Sequence, residues 1–201
     1  MKKSTDYRFV SYLWDDKAAA ALGEDQVDLL IYRSNLLGAD LRLTNYGGGN
    51  TSCKVNSKDP LTGTDTQVMW VKGSGGDLGT MRRNGLAALY MERLNALQKI
   101  YRGIEHEDEM VELFNHCIYD LNSKAPSIDT PLHAFLPFKH IDHLHPDAAI
   151  AIAAAAAGWY FYSANWKLTA LYFVVALLEK PVKVLPEIAF DENEIVLNSF
   201  P

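Results

Sequence analysis

No stretch of this 201-residue chain is apolar for long enough to cross a membrane. The two richest runs, 148–157 and 168–178, fall short of the roughly 18–20 residues a spanning helix needs, and Asn165-Trp166-Lys167 separates them. Both read as buried helices. The first residues, Met1 to Arg8, carry the charge of a signal peptide without its apolar core. Cysteine is scarce: Cys53 and Cys117 stand far apart with no C-x-x-C, which fits reduced thiols in a cytoplasmic protein. Basic residues are outnumbered, 19 Lys and Arg against 25 Asp and Glu, so the net charge is −6. That excludes a general nucleic-acid binder, which needs a basic face, and leaves room for a local pocket for a small phosphate. There is no internal repeat, and no low-complexity segment beyond the alanine run. At 48% hydrophobic and 22% charged, the composition is that of an ordinary globular protein. The length fits a single domain, 1–201, with a real core.

What the chain does have is a concentration of histidine. Four of its six histidines fall between Asp129 and Pro146: His133, His140, His143 and His145. If 138–145 is a strand, His143 and His145 point to the same face, because side chains alternate with period two. Two imidazoles on one face of a strand can hold zinc through nitrogen ligands. The same pair also suits plain hydrogen bonding near a strand end. Pro146 cannot continue a ladder and Asp147 can cap the apolar helix after it, so the pair belongs at the end of a strand. Thr130-Pro131 reads as a helix start, with Asp129 or Thr130 at the N-cap and His133 within the first turn.

Two glycine-rich turns precede this stretch. The first, Tyr46-Gly47-Gly48-Gly49-Asn50-Thr51-Ser52, follows a strand-like piece at 41–45. Backbone N–H groups around glycine can form a nest for an anion, and a plain β-turn is the competing reading. No G-K-[ST] follows, so this is not a Walker A loop. The second, Lys72-Gly73-Ser74-Gly75-Gly76-Asp77, closes a strand at 67–71 and carries a lysine. A helix is expected over 26–37 with Gly38 just past its end, another over the periodic stretch 86–100, and another opening in the acidic run 105–112. His106 and His116 have no evident partners. Strand-like residues 182–185 lie in the tail.

In this order, Gly49-Asn50-Thr51-Ser52, Lys72-Gly73-Ser74-Gly75, Asp129-x-x-x-His133 and His143-x-His145-Pro146 resemble the motifs of the class II aldolase/adducin family. The runs 32–38, 45–52 and 129–135 are similar to the aldolase part of bifunctional rhamnulose-1-phosphate aldolase/short-chain dehydrogenases. The resemblance covers about residues 25–157. It implies an α/β fold, three layers α/β/α around a central, mostly antiparallel sheet. It implies a zinc-dependent retro-aldol reaction on L-rhamnulose 1-phosphate, giving dihydroxyacetone phosphate and L-lactaldehyde. It implies Zn2+ held by His143 and His145, and substrate phosphate bound by Gly49, Asn50, Ser74, Gly75, Lys72 and Ser127. Asp129 takes the place of the catalytic acid/base. In related epimerases an aspartate there is a metal ligand, so either role fits. The implied partners are a small phosphorylated sugar and further copies of the chain in a homo-oligomer, with no nucleic acid and no membrane, in the cytoplasm.

The chain also departs from the family. The family completes its zinc site with a third histidine well downstream, usually followed by glycine, and here no histidine follows His145. The expectation is therefore a truncated or altered relative whose residues 158–201 leave the family pattern. Two alternatives stand beside the aldolase: a sugar-phosphate 4-epimerase, and a non-catalytic association module like the adducins.

Overall fold

A computed structural model describes residues 13–162. A short helix, α1 (Asp16–Ala21), is capped by the Asp15 carboxylate and ends at Gly23 with φ +75°. The next helix, α2 (Gln26–Ala39), is capped in the same way by Asp25, which accepts the N–H groups of Val27 and Asp28. Three strands follow, β1 (Asn50–Lys58), β2 (Asp65–Lys72) and β3 (Leu86–Tyr90). Then come α3 (Met91–Ile100), α4 (Glu107–Leu113), α5 (Thr130–Phe135), the short strand β4 (His140–His143) and α6 (Asp147–Tyr162).

The four strands form one sheet in the order β3-β2-β1-β4, with every neighbouring pair antiparallel. Each face carries a helical layer, because strand residues alternate sides. On one face Met69, Val71, Ala87 and Leu89 pack with Leu94 and Leu97 of α3 and Ala134 of α5. On the other, Val27 and Leu30 of α2 pack with Cys53, Leu78, Met81 and Leu86. This is the α/β arrangement expected, with an antiparallel sheet between helices.

Four local expectations fail. Residues 86–100 are not one helix: Leu86–Tyr90 is a strand, fully paired with β2, and the helix begins at Met91. Leu86, Leu89 and Tyr90 fit helical spacing, but the available ladder and burial of all five side chains override it. The piece at 41–45 is a turn rather than a strand, with Leu43 and Thr44 N–H groups both bonded to the Asp40 carbonyl. The alanine-rich run is helical as expected but not buried, since its described side chains up to Ala155 are exposed or half-exposed and Ile152 is 71% exposed. Gly38 lies inside α2 rather than beyond it. A side chain there would strike the Gly79 backbone, with Cβ 2.0 Å from the Gly79 nitrogen, so glycine serves close packing and not helix termination. The second apolar run, 168–178, and the strand-like 182–185 lie outside the described residues. No helix among the described residues is long and apolar enough to cross a membrane.

Candidate metal and phosphate site

The site gathers where β1 begins, β2 ends and β4 ends. Ser52 pairs with Val71 and Asn50 pairs with His143, so both glycine-rich turns sit at the same end of neighbouring strands. The segment before α5 joins them: Gly73 bridges to Pro126, and the Ser74 N–H donates to the Ala125 carbonyl at 3.0 Å. Asp77, which sequence reasoning passed over, fastens the two turns together. Its carboxylate accepts the Gly47 N–H at 3.1 Å and also the N–H and hydroxyl of Thr80. An Asp closing a Gly-Gly turn was the available signal.

His143 ends β4, and His145 lies two residues past the strand rather than in it. The rings converge all the same, with Nε2 of His143 and Nε2 of His145 3.1 Å apart. His145 is pinned from the first turn. Its N–H donates to Thr44 Oγ1 at 3.3 Å, and its carbonyl accepts the Asn45 N–H at 3.2 Å. Gly48 is pressed against the same ring, where a Cβ would lie 3.0 Å from His145 Nδ1. Gly49 has φ +73°, and a Cβ there would meet the His143 carbonyl at 2.9 Å.

Asp129 directly precedes α5 but does not cap it through its side chain. Its Oδ2 instead faces the site, accepting from Ser127 Oγ at 3.2 Å and from Asn50 Nδ2 at 3.4 Å, and lying 4.0 Å from His143 Nδ1. Lys72 is buried at the end of β2, with Nζ donating to the Gly76 carbonyl at 2.6 Å. Burial lowers its pKa, opposed by the nearby charges of Asp129 and Asp77. The structure thus brings together Gly49, Asn50, Lys72, Ser127, Asp129, His143 and His145. Ser74 and Gly75 stand exposed on the adjoining turn.

His133 has a partner that sequence reasoning did not supply. It is fully buried on α5 with Nδ1 2.8 Å from Ser52 Oγ, and burial drives its pKa down to about 3, with His143 adding to the effect. The ring is neutral near pH 7. Burial likewise lowers the His143 pKa, against the pull of Asp129, so a lone pair is available there near neutrality. His106 also differs from expectation. It forms an exposed cluster with Glu109 at 3.0 Å and Arg102 at 3.3 Å.

Three buried side-chain atoms among the described residues have no hydrogen-bond partner: Asn50 Oδ1, His133 Nε2 and His143 Nδ1. Asn50 and His143 both border Asp129, and the His133 and His143 rings are 6.4 Å apart. Unpaired buried polar atoms are costly, so their concentration marks this end of the sheet as the place built for something other than packing.

A zinc ion fits part of this arrangement. Two nitrogens bound to one tetrahedral ion at about 2.0–2.1 Å lie roughly 3.3–3.4 Å apart, near the observed 3.1 Å. The same distance also accommodates one ring donating N–H to the other. Among the described residues, no group of three or more His, Cys, Asp or Glu side chains comes together to hold a metal. The pair therefore supplies two ligands.

The family described as Class II Aldolase and Adducin N-terminal domain matches residues 29–198. The chain belongs to this family. The match runs farther than the motifs alone carried it, since it continues past Ala157. An uncharacterized oxidoreductase, YuxG, of Bacillus subtilis is 47% identical over 146 residues, which are 73% of this chain and 21% of that protein. The chain thus spans about a fifth of the length of this relative. The N-terminal class II aldolase domain of a conserved protein from Thermoplasma acidophilum shares the fold with a TM-score of 0.59 at 33% identity, over 73% of this chain and 62% of that one.

Proposed function

We propose that this domain holds zinc through His143 and His145 and cleaves a ketose 1-phosphate, with L-rhamnulose 1-phosphate giving dihydroxyacetone phosphate and L-lactaldehyde. The observation that carries the reading is the convergence of the two imidazole Nε2 atoms, 3.1 Å apart, beside the Asp129 carboxylate. When bound, the ion supplies Lewis-acid stabilisation of negative charge developing on the ketose oxygens. Asp129 is the group placed to move the proton, oriented by Ser127 and Asn50. The turns with Gly49, Ser74 and Gly75, together with Lys72 and Ser127, anchor the phosphate away from the reacting carbons and so orient them. The neutral, buried His133 holds Ser52, next to Thr51 on the strand that carries Asn50.

Catalytic zinc ordinarily has three protein ligands and an open position. With two among the described residues, the ion should be lost to a mild chelator. That deficit is the observation favouring the second reading, a non-catalytic association module. The test is zinc per chain after gel filtration, with and without chelator, paired with a coupled triose-phosphate assay on L-rhamnulose 1-phosphate. Chelator-sensitive zinc with measurable cleavage supports the aldolase. A chain that takes up no zinc and releases no triose phosphate overturns it. Epimer without triose phosphate assigns the site to the 4-epimerases.

A further inference from the structure

The two histidines are held by different means. His145 hangs on the turn through Thr44 and Asn45, as described. Among the described residues, His143 ends a four-residue edge strand that is bonded on one side, to β1. Backbone bonds flank the strand, from the Lys54 N–H to the Lys139 carbonyl at 2.8 Å before it and from the Asn45 N–H to the His145 carbonyl at 3.2 Å after it.

Arg33 of α2 adds a side-chain tie to the strand itself. Its Nε donates to Asp142 Oδ1 at 3.0 Å, and one terminal nitrogen donates to the Ser52 carbonyl at 3.0 Å. The other terminal nitrogen lies 3.1 Å from His140 Nδ1, which must accept because arginine only donates. Ser52 is the β1 partner of Ile141, which stands between His140 and Asp142. One rigid planar group therefore touches β4 at two positions and β1 at the residue facing their midpoint. A lysine cannot reproduce this fork. The guanidinium makes no contact with either site histidine or with Asp129, so its effect runs through the strand.

We propose that Arg33 is a positioning residue for the His143 arm of the metal site. It locks β4 against β1, and so keeps His143 Nε2 at its observed distance from His145 Nε2. This rests on the zinc reading above. A second arginine provides the contrast. Arg83 also ties α2 down, through Asp25 at 2.9 Å and Asp28 at 3.2 Å, but these bonds lead to the turn at Arg83–Gly85 and not to β4.

The experiment is zinc affinity by competition with a chromophoric chelator, on the full 201-residue chain, with thermal unfolding followed in parallel. Arg33→Gln should bind zinc up to about tenfold more weakly, at the low end of the roughly 10–100-fold loss for groups bonded directly to metal ligands, because Arg33 acts one step farther out. Asp142→Asn keeps the arginine's bonds to Ser52 and His140, and should lose less. Arg83→Gln should keep the parent affinity whatever happens to its unfolding temperature. Parent-like affinity in Arg33→Gln and Asp142→Asn overturns the role of Arg33, and so does an equal loss in Arg83→Gln. A parent chain that binds no zinc overturns the zinc reading itself, and the role of Arg33 with it.

Discussion

Two strand segments of this sheet are equally buried and chemically opposite. Leu86–Tyr90 of β3 is apolar throughout apart from one phenol oxygen, and it fills space on both faces, Ala87 and Leu89 toward α3 and Leu86 toward α2. Asn50, Thr51 and Ser52 of β1 are just as inaccessible, yet each carries a polar group with a dedicated partner. Thr51 Oγ1 lies 2.6 Å from Ser34 Oγ, Ser52 holds His133, and Asn50 reaches Asp129. Burying a polar group without a partner costs about 1–3 kcal/mol, so an apolar strand would serve stability better at this place. The difference coincides with the proposed site. Buried polar groups elsewhere, such as Lys54 and Asp40, have partners, and the buried side-chain atoms left unpaired among the described residues lie at the end of the sheet where the histidines meet.

The sharpest way to separate the two segments is to remove chemistry from one and packing from the other. Asp129→Asn should lower carbon–carbon cleavage by about 10²–10⁴-fold with unchanged zinc content and little change in unfolding. Near-normal turnover in the coupled assay would take Asp129 out of the mechanism. Leu89→Ala should do the reverse. Its side chain is fully buried, so urea unfolding should show a loss of about 2–5 kcal/mol while zinc affinity per folded chain holds. A smaller effect follows from acidification. Unfolded histidine protonates near pH 6.5, whereas folded His133 resists until about pH 3. Its contribution is therefore complete above about pH 6.5 and is lost as pH falls, by up to about 1.4 kcal/mol per pH unit. Urea midpoints of the chelator-treated chain that stay flat from neutral to mildly acidic pH would contradict this. The smallest effect should come from Thr51→Val, about 0.5–1.5 kcal/mol, because Ser34 keeps its bond to the Leu30 carbonyl at 2.6 Å. A larger loss would mean that the Ser34–Thr51 pair is coupled to the site.

The site was more legible in the sequence than the elements that carry it. Asn50, Lys72, Ser127, Asp129, His143 and His145 could be named from motif order, and all lie at one end of the sheet. Their supports could not. Arg33 acts through Asp142, 109 positions along the chain, and no local pattern announces such a pairing. The helix read over 86–100 failed because three apolar residues fit a helical stripe as well as a buried strand, and only the presence of β2 decides between them. The alanine-rich helix was read as buried from its composition alone, but composition cannot say what packs on it. His143 and His145 were expected to share a face of one strand. They meet although the strand stops at the first, because Thr44 and Asn45 carry the second back.

The long sequence separations within the site have a kinetic consequence. Asn50 reaches Asp129 across 79 positions, Ser52 reaches His133 across 81, and Arg33 reaches His140 across 107. Contacts of this kind form after local helices and hairpins, because a large loop must close before they repay its entropy. The β1–β2 hairpin and α2 can therefore form in a chain that has no site. The residues of the proposed site come together when the segment carrying α5 and β4 docks on β1. A protease cut at the exposed residues 98–102 would then divide the residues of the proposed site between two pieces, with Asn50 and Lys72 on one and Asp129, His143 and His145 on the other.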